Sequence, residues 1–121
     1  MLTINFLGPE GQQKTVVQLA DELYLWLAQS QFAQIGQSQT VELEIEGEQV
    51  SLPLVILDPE NRPRLRDFFY QAVVEEGDSL LERLGDYPSK AVYQSQTYRL
   101  RKLQELRKHI ENEQFQYLQR V

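Results

Sequence analysis

Cysteine is absent from the 121 residues, and histidine, tryptophan and methionine occur once each. Without cysteine there is no disulfide, no zinc–thiolate site and no thiol nucleophile. A lone His109 rules out any two-histidine metal site and leaves a catalytic triad only one candidate base. No nucleophile motif such as G-x-S-x-G accompanies it, so His109 reads as a solvated side chain. Long apolar runs are missing too: none approaches the roughly 18 residues of a membrane span. The opening M-L-T-I-N-F-L-G has neither the basic start nor the small-residue cleavage site of a signal peptide. These gaps point by default to a cytoplasmic location and no membrane partner. No cofactor motif is present, and no family is recognised in the residues.

Base is scarce at one end. Residues 1–61 hold nine acids and a single base, Lys14, whereas residues 62–121 hold nine acids and eleven bases. The halves can neutralise one another within one fold, or mark acidic and basic interaction ends. A hydrophobic fraction of 41% with 25% charge is that of an ordinary globular chain, and the length suits one domain spanning 1–121.

The clearest positive signal runs from Thr40 to Leu57. Apolar and polar residues alternate on both sides of Gly47-Glu48, the pattern of a β-hairpin. With Gly47 first in a type II′ turn, Ile45 faces Val50, Leu43 faces Leu52 and Val41 faces Leu54. Glu42, Glu44 and Glu46 then share the opposite, wet face, extended by Glu48. Carboxylates at alternate positions stand about 7 Å apart, too far for a catalytic dyad. The row therefore reads as a solvated edge guard or as a docking face for a basic partner.

Around the hairpin, Leu2 to Leu7 reads as a strand ending at the turn Gly8-Pro9-Glu10-Gly11. Residues 14–19 fit either a returning strand, with Asp21 capping the next helix, or the start of a longer helix capped by Thr15. A helix then runs from Asp21 to about Gln34, burying Leu23, Trp26 and Leu27. A second helix, capped by Asn61 with Pro63 in its first turn, extends to about Leu84. Its main stripe is Leu65, Phe68, Phe69, Ala72, Val73, Leu80 and Leu84. Tyr70, Val74 and Leu81 form a second apolar patch, which predicts a helix sandwiched between the sheet and the last helix. The last helix begins after Ser89 and keeps Val92, Leu100, Leu103, Leu106, Ile110, Tyr117 and Val121 on one face. Continuous to Arg120 it would be about 46 Å long, more than a domain of about 35 Å can cover. It would overhang, bend near Gln94 to Thr97, or lie on a second copy.

The expected fold is therefore α+β: a small, mainly antiparallel sheet, built from the N-terminal strand or hairpin and the central hairpin 40–57, packed under three helices with a long C-terminal helix. Candidate contacts are surface groups. Arg62, Arg64 and Arg66 oppose the dipole of the helix they begin, and their forks suit an anion, unless nearby acids pair them. Arg101 and Lys108 lie opposite the apolar stripe of the last helix, and Tyr98 and Phe115 fall on its far side as wet anchors. Basic residues with interleaved aromatics over 99–109 could suit nucleic acid, but no single face concentrates them and a pI near 4.8 argues against it. Glu75-Glu76-Gly77-Asp78 lacks calcium-loop spacing. The expectation is a non-enzymatic interaction module, an adaptor or assembly factor. It would dock a protein partner or its own copy through the last helix and the hairpin residues Glu42, Glu44 and Glu46. A nucleic-acid regulator and a small-ligand or cation-binding protein are the alternatives.

Overall fold

A computed structural model of the chain describes residues 2–9, 15–45, 47–85 and 89–120. Expectations for Glu10, Gly11, Lys14, Glu46, Asp86 to Pro88 and Val121, and for the side chains of Leu2 and Ile45, lie outside that description. Strands β1 (Leu2–Leu7), β2 (Thr15–Leu19), β3 (Gln39–Ile45), β4 (Glu48–Ile56) and β5 (Tyr117–Arg120) pair antiparallel in the order β2-β1-β5-β4-β3. Helices α1 (Asp21–Gln29), α2 (Asn61–Leu84) and α3 (Lys90–Glu111) complete an α+β architecture.

Local chemistry sets most boundaries. Residues 15–19 are a strand: Ile4 stands opposite Val17 and Leu2 opposite Leu19, so the alternation of β1 continues in β2. Asp21 is the first residue of α1 and not its cap; the cap position belongs to Ala20. That helix ends sooner than its periodicity suggests. The Ser30 hydroxyl donates to the Leu27 carbonyl and accepts from the Phe32 N–H, turning the chain into a single 3-10 turn, Gln31–Gln34. The turn drives Phe32 into the core. At α2 the cap position belongs to Glu60, with Asn61 the first helical residue, and it is the Asp58 carboxylate upstream that accepts from the N–H groups of Glu60 and Asn61 at 3.0 and 2.7 Å. The Asn61 amide instead donates back to the Ile56 carbonyl. Helix α2 runs unbroken through Gly77, and Ser89 caps α3 as its position implies.

The end of the chain departs most from its pattern. Helix α3 stops at Glu111, where Asn112 closes the last turn and its side-chain oxygen accepts from the Gln114 N–H. Tyr117 to Arg120 then enters the middle of the sheet between β1 and β4. A 22-residue α3 is about 33 Å long, which resolves the overhang. Phe115, expected to be wet, is in the core against Phe6 and His109, because it belongs to the turn that feeds β5.

Helices cover one face of the sheet. Ile4, Phe6, Val17, Leu19, Val55 and Leu118 meet Leu27, Phe69, Leu103, Leu106 and Ile110 in the main core. The hairpin differs in two ways from its expected form. Ile45 pairs with Glu48, Leu43 with Val50 and Val41 with Leu52, a register two residues closer to the turn. Gly47, at φ +81°, therefore stands second in the two-residue connection and Glu48 already belongs to β4. A shift of two preserves the faces: Leu43 is buried while Glu42 and Glu44 are exposed. Glu48, however, shares the leucine side, since directly paired residues share a face. That leucine side is not roofed by the helices. Leu43 and Leu54 join Leu7, Val41, Leu52 and Tyr117 in a second cluster on the sheet's other face, so β4 buries Leu54 on one side and Val55 on the other.

Two arginines tie these layers together. Arg62 donates to the carbonyls of Leu57, Ile110, Asn112 and Phe115 at 2.6–3.1 Å. Arg120 donates to those of Phe32, Ile35 and Gly36 at 2.6–3.2 Å, with its guanidinium over the Phe32 ring. Each fork serves backbone oxygens where elements end: past β4, at the end of α3 and before β5 for Arg62, and around the 3-10 turn for Arg120.

Candidate docking surface

The second apolar patch of α2 is not sandwiched. Tyr70, Val74 and Leu81 are 44%, 61% and 75% exposed and fall within about 40° on the helix. Gly77 lies in the same stripe, and a Cβ built there would meet nothing within 4 Å. The buried stripe of Leu65, Phe69, Ala72 and Leu80 faces inward instead. Helix α3 packs antiparallel beside α2, and their register is read at Tyr70. Its hydroxyl donates to Glu111 at 2.7 Å, and the Arg107 guanidinium sits 5.0 Å from its ring centroid while bonding Glu111 at 2.7 Å. Tyr93, at 53% exposed, and half-buried Leu100 extend the apolar strip on the α3 side. Burying side chains of this kind releases about 1.5–3 kcal/mol each.

Charge is sorted on either side of the strip. The outer flank of α2 carries exposed Asp67, Glu75, Asp78 and Glu82, with Arg64 among them. The outer flank of α3 carries exposed Arg101 and Lys108. Among the described ion pairs none engages Glu75, Asp78, Glu82, Arg101 or Lys108, whereas Lys102 reaches Glu105, Arg83 reaches Glu76 and Arg66 reaches Asp67.

The residues expected to make contacts are scattered over this fold. Glu42 and Glu44 are exposed on the hairpin. Tyr98 is half-buried against the main core, and its hydroxyl accepts from the Ala20 N–H at 3.0 Å, so it is a link between α3 and the start of α1. Arg101 and Lys108 are exposed as anticipated, and Phe115 is not. The arginine trio does not act together: Arg62 turns inward onto four carbonyls, Arg64 is exposed, and Arg66 lies 3.4 Å from Asp67. The basic segment is dispersed in the same way. Arg99 stacks on Trp26 at 5.4 Å, and Arg107 is held by Glu111. His109 is half-buried, not fully solvated; its ring lies 5.2 Å from that of Phe6 and 5.6 Å from that of Phe115. Burial lowers its pKa below the ordinary histidine value, against a smaller opposing pull from Glu105.

Several clefts lie elsewhere. One of about 310 Å³ is lined by Glu22, Glu76, Arg83, Gln96, Tyr98 and Arg99, where Arg83 is paired with Glu76 and Arg99 stacks on Trp26. Another, of about 170 Å³, is apolar, lined by Ile4, Tyr24, Leu27, Phe32 and Arg120. Burial lowers the Arg120 pKa, with Tyr24 acting in the opposite sense, and its donors are turned to carbonyls. Among the described residues no three His, Asp or Glu side chains converge as a metal site, and no helix is long and apolar enough to cross a membrane. The exposed state of Tyr70, Val74 and Leu81 escaped the sequence reading, although the residues themselves stood out by their spacing. Comparison with protein-family models, with curated proteins and with solved structures finds no match.

Proposed function

We propose that this chain is a protein-docking module whose working surface is the outer face of the α2–α3 pair. The carrying observation is the stripe of Tyr70, Val74 and Leu81, left bare on a helix whose opposite side is fully packed. Contiguous apolar area rimmed by charge is what protein contacts use, with an aromatic and branched aliphatics at the centre. The reading keeps Arg101 and Lys108 as contact residues and moves the aromatic anchors from Tyr98 and Phe115 to Tyr70 and Tyr93. Glu42 and Glu44 stand on the hairpin as a separate acidic edge.

The test is affinity capture from the native host with wild type and a Val74→Asp/Leu81→Asp variant, read by mass spectrometry. Both substitutions sit at exposed positions, so the fold is expected to survive, checked by circular dichroism. Proteins retained by wild type and lost with the variant support the reading. Identical captured sets from both chains refute it.

A further inference from the structure

We infer that the occupant of the α2–α3 face is a second copy of this chain, related by a two-fold axis parallel to the helices, so that α2 of each protomer lies on α3 of its partner. This rests on the docking reading and adds the identity and geometry of the partner.

The distribution of charge selects that arrangement. The α2 flank is acidic in balance, with Asp67, Glu75, Asp78 and Glu82 against Arg64; the α3 flank is basic, with Arg101 and Lys108 unpaired among the described residues and its one acid, Glu105, already engaged by Lys102. Laying α2 on α2 would set acid against acid. Turning one copy about an axis along the helices sets acid against base twice, once on each side of the apolar seam, as a self-complementary interface requires.

The axial register agrees. Tyr70 lies level with the Arg107–Glu111 turn, which is centred on His109. Eight residues on along α2 and eight back along α3 stand Asp78 and Arg101. A two-fold parallel to the helices preserves height, so Asp78 of one copy meets Arg101 of the other. Glu75 then falls between Arg101 and Lys108, and Glu82 and Asp67 come within about one helical turn of Arg101 and Lys108 respectively.

Size agrees as well. Helix α2 is about 36 Å long, and two helices side by side span about 20 Å, giving a footprint of about 700 Å² per copy. A stable interface takes about 800 Å² from each partner. Val74, Leu81 and Leu100 of both copies would form the seam of an antiparallel four-helix layer, and Gly77 at its centre lets the helices approach closely.

Sedimentation equilibrium of the full chain tests this. Wild type is expected to show a concentration-dependent monomer–dimer equilibrium. Asp78→Arg and Arg101→Asp, each alone, create two like-charge contacts per dimer and are expected to weaken it about tenfold or more. The mixture of the two variants is the decisive measurement. A heterodimer restores both opposite-charge contacts, so mixing returns near wild-type association when neither variant associates alone. Wild type that stays monomeric at all concentrations overturns the inference, as does a dimer indifferent to both substitutions or unrescued by mixing. A monomeric wild type that still captures host proteins through Val74 and Leu81 would leave the docking reading in place with a foreign partner.

Discussion

Replacing Arg62 with methionine removes a charge and a fork while keeping most of the side chain's volume. Two effects then compete. Burial of the guanidinium is unfavourable, as the lowering of its pKa by desolvation shows against the smaller opposing pull of Glu113, and methionine relieves that cost. Against this, the carbonyls of Leu57, Ile110, Asn112 and Phe115 lose their donor. Only the bond to Asn112 is in an exposed setting where water can take over; the other three are partly buried. A hydrogen bond to a charged group contributes about 1.5–3 kcal/mol, and a buried acceptor left unpaired costs about 1–3 kcal/mol. The stranded acceptors win, because removing one partner from a buried polar set exceeds the relief of desolvation. The expected loss is about 3–5 kcal/mol, a large share of the roughly 5–15 kcal/mol available to a domain. Arg62→Lys is expected to recover only part of it, since an ammonium cannot span carbonyls from the end of β4, the end of α3 and the entry to β5. Urea unfolding followed by Trp26 fluorescence measures both variants. A loss below about 1 kcal/mol for methionine would mean that water re-satisfies the carbonyls, and the stapling argument would fail.

Gly36→Ala is expected to destabilise by about 1–3 kcal/mol: the residue has φ +71°, and a Cβ would come within 2.8 Å of Val55 Cγ1. An unchanged urea midpoint would contradict that. Gly77→Ala should act oppositely and stabilise the monomer by about 0.5–1 kcal/mol, since the position is mid-helix and open; a loss of stability would count against an open stripe there. His109 gives a pH signature. Its folded pKa lies below the unfolded value of 6.5, so the unfolded chain takes up the proton first. Its contribution is complete above that value and falls as pH drops through 6.5 toward the folded pKa. His109→Leu should flatten the stability profile between neutral pH and the carboxylate range, and an undiminished slope in urea titrations would exclude this residue as its source.

Legibility in the sequence followed how local the determinant was. Alternation in 40–57 and the caps at Ser89 and near Asn61 act over a few residues, and those elements appear where the pattern put them. The strand of residues 15–19 became certain only through its pairing with β1. Strand β5 was hidden for the same reason. Its four residues, Y-L-Q-R, bury only Leu118, and Tyr117 also continues the helical period of Leu106 and Ile110. What makes them a strand is the pair of open edges that β1 and β4 present, a long-range condition no window of sequence contains. The docking face follows from that displacement. A last helix running on to Arg120 could have been imagined as covering both sides of α2. Once residues 117–120 are spent in the sheet, α3 is one helix on one flank, and among the described residues no element covers the second apolar stripe of α2. Val74 and Leu81 thus carry the same hydrophobic spacing as a buried stripe, and only the long-range placement of the described elements leaves that spacing on the surface.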